Sequence, residues 1–327
     1  MSQKARSITY HALTDDGWKI ALHRYVRRTD RKPVLLVHGL ASNRHNMDFP
    51  IKGLSLAQHL WEEGWDTWVI ELRGAGKSSR PSGFQWRKGW NADQYVLHDL
   101  PTAIRFILEK TSQTQLHWIG HSLGGLLIPP FINTHSADVL RSVVMAASPL
   151  TGIPEKFFKW INLTDPFLRF LPMIPNKILA KIIGLRPNLM KWGPFAPLYI
   201  KENMDDQTIR MGAKVALDDL PATLVRQFHR WMREPRFQSP ETKIRYFMDF
   251  KKMKVPILMI AGSNDPFTRA SELRKVYDKV GTRKKMLVVF GKDYGHACDY
   301  SHWDIILGRH ARREVYPLIT HWLAKHD

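Results

Sequence analysis

The run Leu116-His117-Trp118-Ile119-Gly120-His121-Ser122-Leu123-Gly124-Gly125 constrains this chain more than any other stretch. A strand-like apolar segment ends in Gly-x-Ser-x-Gly, and a helix-capable segment follows. That is the sequence form of a sharp strand-to-helix turn with a serine at its tip. Such a turn strains the serine backbone and lifts the hydroxyl above the end of a sheet. A β-carbon at Gly120 or Gly124 is expected to collide across it. Short glycine motifs also occur by chance in loops. The motif therefore gains meaning only if a strand precedes it, an oxyanion donor lies upstream, and an acid and a histidine follow.

Short apolar runs alternate with helical periodicity on both sides of the motif. An Asp15-Asp16-Gly17 turn between two alternating segments over 8–30 reads as a hairpin. Pro33-Val34-Leu35-Leu36-Val37 reads as a strand buried on both faces, and 65–72, 116–119, 140–146, 255–260 and 286–290 as further strands. Helices are expected over 56–63, 93–111, 122–132 and 311–325. This alternation predicts an α/β chain with a mostly parallel sheet flanked by helices. Between about 150 and 249 the pattern changes to short amphipathic segments punctuated by proline. Phe157, Phe158, Trp160, Phe167 and Phe170 come first, then Ile178, Leu179, Ile182 and Ile183 with Lys177 and Lys181 between them. The expected organisation is a core over 1–150 and 250–327 interrupted by a helical cap over 151–249.

Charge and cysteine usage narrow the partners. Lys and Arg total 49 against 30 Asp and Glu, a net charge of +19. Such a balance attracts phosphate-rich surfaces. The cations are scattered, and no zinc-finger, RNA-binding or basic-zipper pattern is present, so nucleic acid is not the expected partner. Contact with anionic membrane lipid fits the cations interleaved with apolar residues in the middle segment. Cys298 is the single cysteine, so no internal disulfide forms. Residues 1–14 are polar, and no run approaches the ~20 apolar residues of a membrane span. The expectation is a cytoplasmic protein, peripheral at most to the inner face of a membrane.

Three features bear on Ser122. Ile260-Ala261-Gly262-Ser263-Asn264-Asp265-Pro266 sets Asp265 just past a buried strand, where a carboxylate can orient an imidazole; the plainer role is a helix cap with Pro266 behind it. Two histidines follow in a near-duplicated segment, His296 in Asp293-Tyr294-Gly295-His296 and His302 in Asp299-Tyr300-Ser301-His302. Both complete the order Ser, Asp, His, and spacing alone does not separate them. His38-Gly39-Leu40 follows a buried strand, so the backbone N–H groups of Leu40 and Leu123 are candidate donors to an oxyanion. His98, His117, His229 and His310 are expected to be surface or packing residues.

With these residues in view, the chain resembles the α/β-hydrolase superfamily from about residue 9 to 322, the middle segment excluded. The resemblance rests on His38-Gly39, Glu71-Leu72-Arg73-Gly74-x-Gly76-x-Ser78, Gly120-His121-Ser122-Leu123-Gly124-Gly125, Gly262-Ser263-Asn264-Asp265 and a late histidine. Within it, the chain is most similar to lipase- and esterase-like members related to acid lipases. These carry His-Gly-Leu at the oxyanion loop and a late Tyr-x-His-x-Asp-[hydrophobic]3-Gly segment with the catalytic histidine. Here that segment is Tyr300-Ser301-His302-Trp303-Asp304-Ile305-Ile306-Leu307-Gly308, so the resemblance favours His302 over His296.

The resemblance implies a serine hydrolase that cleaves carboxylic esters through an acyl-enzyme, with Ser122, His302 and Asp265 as triad and no metal or cofactor; the Phe, Trp, Ile and Leu residues of the middle segment point to an apolar ester or lipid as its substrate. Two alternatives share the fold: an acyltransferase with the same triad, and a non-catalytic binding protein. Acid lipases are usually secreted or lysosomal, whereas the polar residues 1–14 lead here to the expectation of no signal peptide. The middle segment shows no family motif, so no substrate-binding residue is assigned and substrate choice does not carry over. Ser122 stands where the related dehalogenases and epoxide hydrolases have aspartate and polyester synthases have cysteine, which argues against those chemistries.

Overall fold

The computed structural model describes residues 5–27, 30–80, 88–152, 168, 170–191, 193–234, 236–247 and 249–327. Eight strands form one sheet: β1 (Ser7–Leu13), β2 (Lys19–Tyr25), β3 (Val34–Val37), β4 (Thr67–Glu71), β5 (Leu116–His121), β6 (Leu140–Ala146), β9 (Ile257–Gly262) and β10 (Lys285–Phe290). Their spatial order is β1-β2-β4-β3-β5-β6-β9-β10. From β4 to β10 every pairing is parallel; β2 runs antiparallel to both β1 and β4. The chain leaves β3 to form β4 on one side and returns to place β5 on the other. That reversal opens a crevice at the C-terminal ends of β3 and β5, where Val37 pairs with Gly120.

Every residue of β3, β4, β5 and β9 is buried. Alternate side chains serve opposite faces. Leu35, Val37 and Trp118 pack on one face with Leu100, Ile104 and Ile107 of helix Leu100–Thr111. Val34, Leu36 and Ile119 pack on the other with Leu56 and Leu60 of helix Leu56–Glu62, and with Val315, Ile319 and Leu323 of helix Ala311–His326. Each such buried side chain contributes roughly 1.5–3 kcal/mol. The expected strands and helices occur within a few residues of their sequence bounds, with one correction. The helix expected over 122–132 is two pieces, Leu123–Leu126 and Ile128–Thr134, with Pro129 and Pro130 at the start of the second. Proline has no N–H to continue the first piece but fits the first turn of the next.

Between β6 and β9 lies a set of short elements. β7 (Met173–Ile174) pairs antiparallel with β8 (Leu220–Pro221), and helices Asn176–Leu185, Asp206–Val215 and Ala222–Arg233 surround them. Phe157, Phe158, Trp160 and Phe167 lie outside the described residues. The buried carboxylate of Asp218 fastens this segment to the sheet domain, accepting from the Asn43 side chain and the Gly76 N–H, both at 2.9 Å. On the far side Gln227 accepts from the Ala92 N–H at 2.7 Å and donates to Asp93 at 2.8 Å. No described helix is long and apolar enough to cross a membrane.

Candidate active site

Ser122 stands at the end of β5 with φ 52° and ψ −116°, a conformation that non-glycine residues rarely adopt. Holding it costs on the order of 1–3 kcal/mol, supplied by the surrounding packing. The turn closes so tightly that a β-carbon on Gly120 would stand 2.2 Å from the Gly124 carbonyl carbon, and one on Gly124 would stand 2.2 Å from the Val37 oxygen. Only glycine fits either place. The Trp118 indole N–H donates to the Gly124 carbonyl at 3.1 Å, tying the turn back to its own strand.

Nε2 of His302 lies 2.9 Å from the Ser122 hydroxyl oxygen, and Nδ1 lies 3.0 Å from Oδ2 of Asp265. Asp265 follows β9, and His302 sits in the connection after β10, so residues from the ends of β5, β9 and β10 meet here, with β6 lying between β5 and β9 in the sheet. The other Asp265 oxygen accepts the Phe267 and Thr268 N–H groups at 2.8 and 3.0 Å. Asp265 therefore caps its own turn and faces His302 at once. Burial works to raise its pKa; the His302 ring and the two amides outweigh it and hold the carboxyl below its ordinary range. Ser122 is partly exposed, whereas Asp265 and His302 are buried.

His296 does not join this chain. Its Nδ1 contacts the backbone of Gly291, and its ring packs at a tilt against Phe290, 4.4 Å between centroids. Of the other expected packing residues, His117 is buried against Ser142, while His98 bonds Asp15 at the surface.

Leu40 and Leu123 line one small cavity of about 10 Å³, room for roughly a single water molecule, together with Asp218 and Leu220 of the inserted segment. Neither backbone N–H has an acceptor among the described residues. The Leu40 loop is set by His38, whose Nδ1–H donates to the Gly39 carbonyl at 2.8 Å while Nε2 accepts the Leu72 N–H at 3.2 Å. Burial lowers the His38 pKa, consistent with the neutral ring those two roles require.

Three residues that sequence reasoning did not single out support these groups. His121 is buried beside Ser122, and its Nε2–H donates to the His302 carbonyl at 2.8 Å. Burial pushes it down to about 3, so it stays neutral. Its other nitrogen lies 3.1 Å from Oδ1 of Asn46, which also accepts the Gly39 N–H at 2.9 Å. His302, the elbow and the Leu40 loop thus share one contact path. Asp304, fully buried, accepts the Ser301 N–H at 2.6 Å and fixes the turn that carries His302; burial raises it to about 6. Asp304 was visible as a letter of the late motif and His121 as the variable letter of the elbow. Asn46, in a polar loop, had no signal.

Comparison with known proteins agrees with this architecture. A family model described as "alpha/beta hydrolase fold" matches residues 32–186. Human lipase member K is 34% identical over 349 residues, covering 94% of this chain and 85% of that protein. Human gastric triacylglycerol lipase is 33% identical over 364 residues, with coverage of 94% and 85%. Among solved structures, an esterase from Exiguobacterium antarcticum superposes with a TM-score of 0.66 at 14% identity, over 97% of this chain and 100% of that one. The chain belongs to the α/β-hydrolase family. Within it, the protein is a lipase- and esterase-like serine hydrolase.

Proposed function

We propose that the protein hydrolyses carboxylic esters of apolar acyl groups through a Ser122–His302–Asp265 triad. The observation that carries this reading is the continuous contact from Asp265 through His302 to Ser122, at 3.0 and 2.9 Å. Nε2 of His302 takes the Ser122 proton as the oxygen attacks the acyl carbon, and Asp265 stabilises the imidazolium that forms. The Leu40 and Leu123 amides receive the oxyanion, each worth on the order of 10²–10³ in rate. Collapse expels the alcohol with the proton from His302. Water, deprotonated by His302, then attacks the acyl-enzyme and releases the acid and Ser122.

Residues 151–249 serve as a cap in this reading, since Asp218 and Leu220 border the cavity beside both amides. The cap also supports peripheral contact with anionic membrane. Helix Asn176–Leu185 exposes Ile178, Ile182 and Leu185, with Phe170 nearby in sequence, beside the exposed cation Lys181; Lys177 is held by Asp218 at 2.7 Å. An exposed apolar stripe with a cation beside it fits an interface of acyl chains and acidic headgroups, at the inner face of a membrane. A series of p-nitrophenyl esters of increasing chain length tests the substrate class. Turnover dependent on Ser122 that rises from acetyl to longer acyl chains is expected; turnover confined to acetyl esters, or none, contradicts it. Sedimentation with phosphatidylglycerol vesicles but not phosphatidylcholine vesicles is the matching expectation for the membrane.

A further inference from the structure

A cleft of about 350 Å³, outside the Ser122 site, opens between three chain segments: 51–54, 201–208 and 309–313. Five cations line it, Lys52 and Lys201 on two walls and Arg309, Arg312 and Arg313 on the third. The two carboxylates on its rim do not neutralise them. Asp205 is engaged as the cap of helix Asp206–Val215, accepting the Thr208 N–H at 2.8 Å, with Arg309 as its charge neighbour; Glu202 is the other. Arg312 is held by Glu62 at 2.6 Å. Among the described residues, Lys52, Lys201 and Arg313 have no ion pair. Asn203, buried, also lines the cleft. Its amide nitrogen donates to Asp299 and Asp304, and its Oδ1 has no partner among the described residues.

We propose that this cleft binds a phosphate group, with Lys52, Lys201 and Arg313 as its principal cations. Like charges gathered around one opening repel until an anion enters. A phosphate directs oxygens toward several walls at once, whereas a carboxylate offers two in one plane to a single guanidinium. The phosphate comes either from a soluble phosphomonoester or from a phospholipid headgroup. This binding is independent of the chemistry assigned to Ser122, and none of the three cations belongs to that machinery.

The test uses the full chain and two variants of equal charge change, Lys201→Glu/Arg313→Glu in the cleft and Lys254→Glu/Arg283→Glu outside it. Thermal unfolding is followed against inorganic phosphate and glycerol 3-phosphate, with chloride at matched ionic strength. Sedimentation with phosphatidic acid and phosphatidylcholine vesicles forms the second arm. A saturable rise in Tm with the soluble phosphates, or phosphatidic-acid-dependent sedimentation, is expected for wild type and the outside variant. The cleft variant should need at least about tenfold more ligand. A response to soluble phosphate assigns the ligand to a phosphomonoester, and a response to vesicles alone assigns it to a headgroup. If the charge reversal fails to fold, Lys201→Gln/Arg313→Gln carries the same expectation. Equal responses of the cleft and outside variants, or saturable binding in neither arm, overturn the proposal.

Discussion

The sheet domain and the segment inserted between β6 and β9 solve different problems with similar apolar content. In the sheet domain, β3 and β5 are buried on both faces, and Gly120 and Gly124 leave no room for a single carbon atom. In the inserted segment, helix Asn176–Leu185 leaves Ile178, Ile182 and Leu185 open to solvent, with only Ala180 and Ile183 buried. Close packing in the first region holds three side chains from distant parts of the chain at separations of 3.0 and 2.9 Å. Loose coverage in the second leaves an apolar surface for something else to meet. A substitution should therefore be severe in the first region and mild in the second.

The largest expected effect is on turnover. Ser122→Ala should lower kcat for ester hydrolysis by at least about 10⁴-fold with unchanged circular dichroism. Asp265→Asn should follow at roughly 10³–10⁴-fold, because the imidazole loses the partner that fixes its tautomer. Gly124→Ala should lower stability by about 3 kcal/mol in urea titration, since its β-carbon has to displace backbone at Val37. Tolerance of that alanine would show that the elbow is not rigid.

The pH dependence of stability tests the turn that carries His302. Burial raises Asp304 to about 6 in the native state, above its unfolded value. Its contribution is full below pH ~4, where both states hold the proton, and declines as pH rises to about 6, amounting to roughly 2–3 kcal/mol. Asp304→Asn should flatten this decline in Tm measured from pH 4 to 7; an unchanged slope would assign the decline to another group. The smallest effect should come from Ile182→Glu with Leu185→Glu. These exposed positions should shift stability by about 0.5 kcal/mol or less while weakening sedimentation with anionic vesicles.

Legibility in the sequence follows the same divide. The Gly-x-Ser-x-Gly turn, the place of Asp265 just past β9 and the parallel strands are readable because each obeys a local rule of spacing or period. His296 and His302 were not separable by spacing, since both follow an Asp-Tyr pair after β10; three-dimensional closure brings only His302 to Ser122. Asn46 and Asp218 were invisible because their roles arise across long sequence distances, 75 residues from Asn46 to His121 and 142 from Gly76 to Asp218. The continuous helix expected after Ser122 failed where two prolines outweigh apolar periodicity.

Labelling with a fluorophosphonate probe, mapped by tandem mass spectrometry, tests the central claim most directly. One modified residue is expected, Ser122, at a rate that falls at least about 10³-fold in His302→Ala and is unchanged in His296→Ala. Modification of another residue, or a His302→Ala variant that reacts at the wild-type rate, would contradict it.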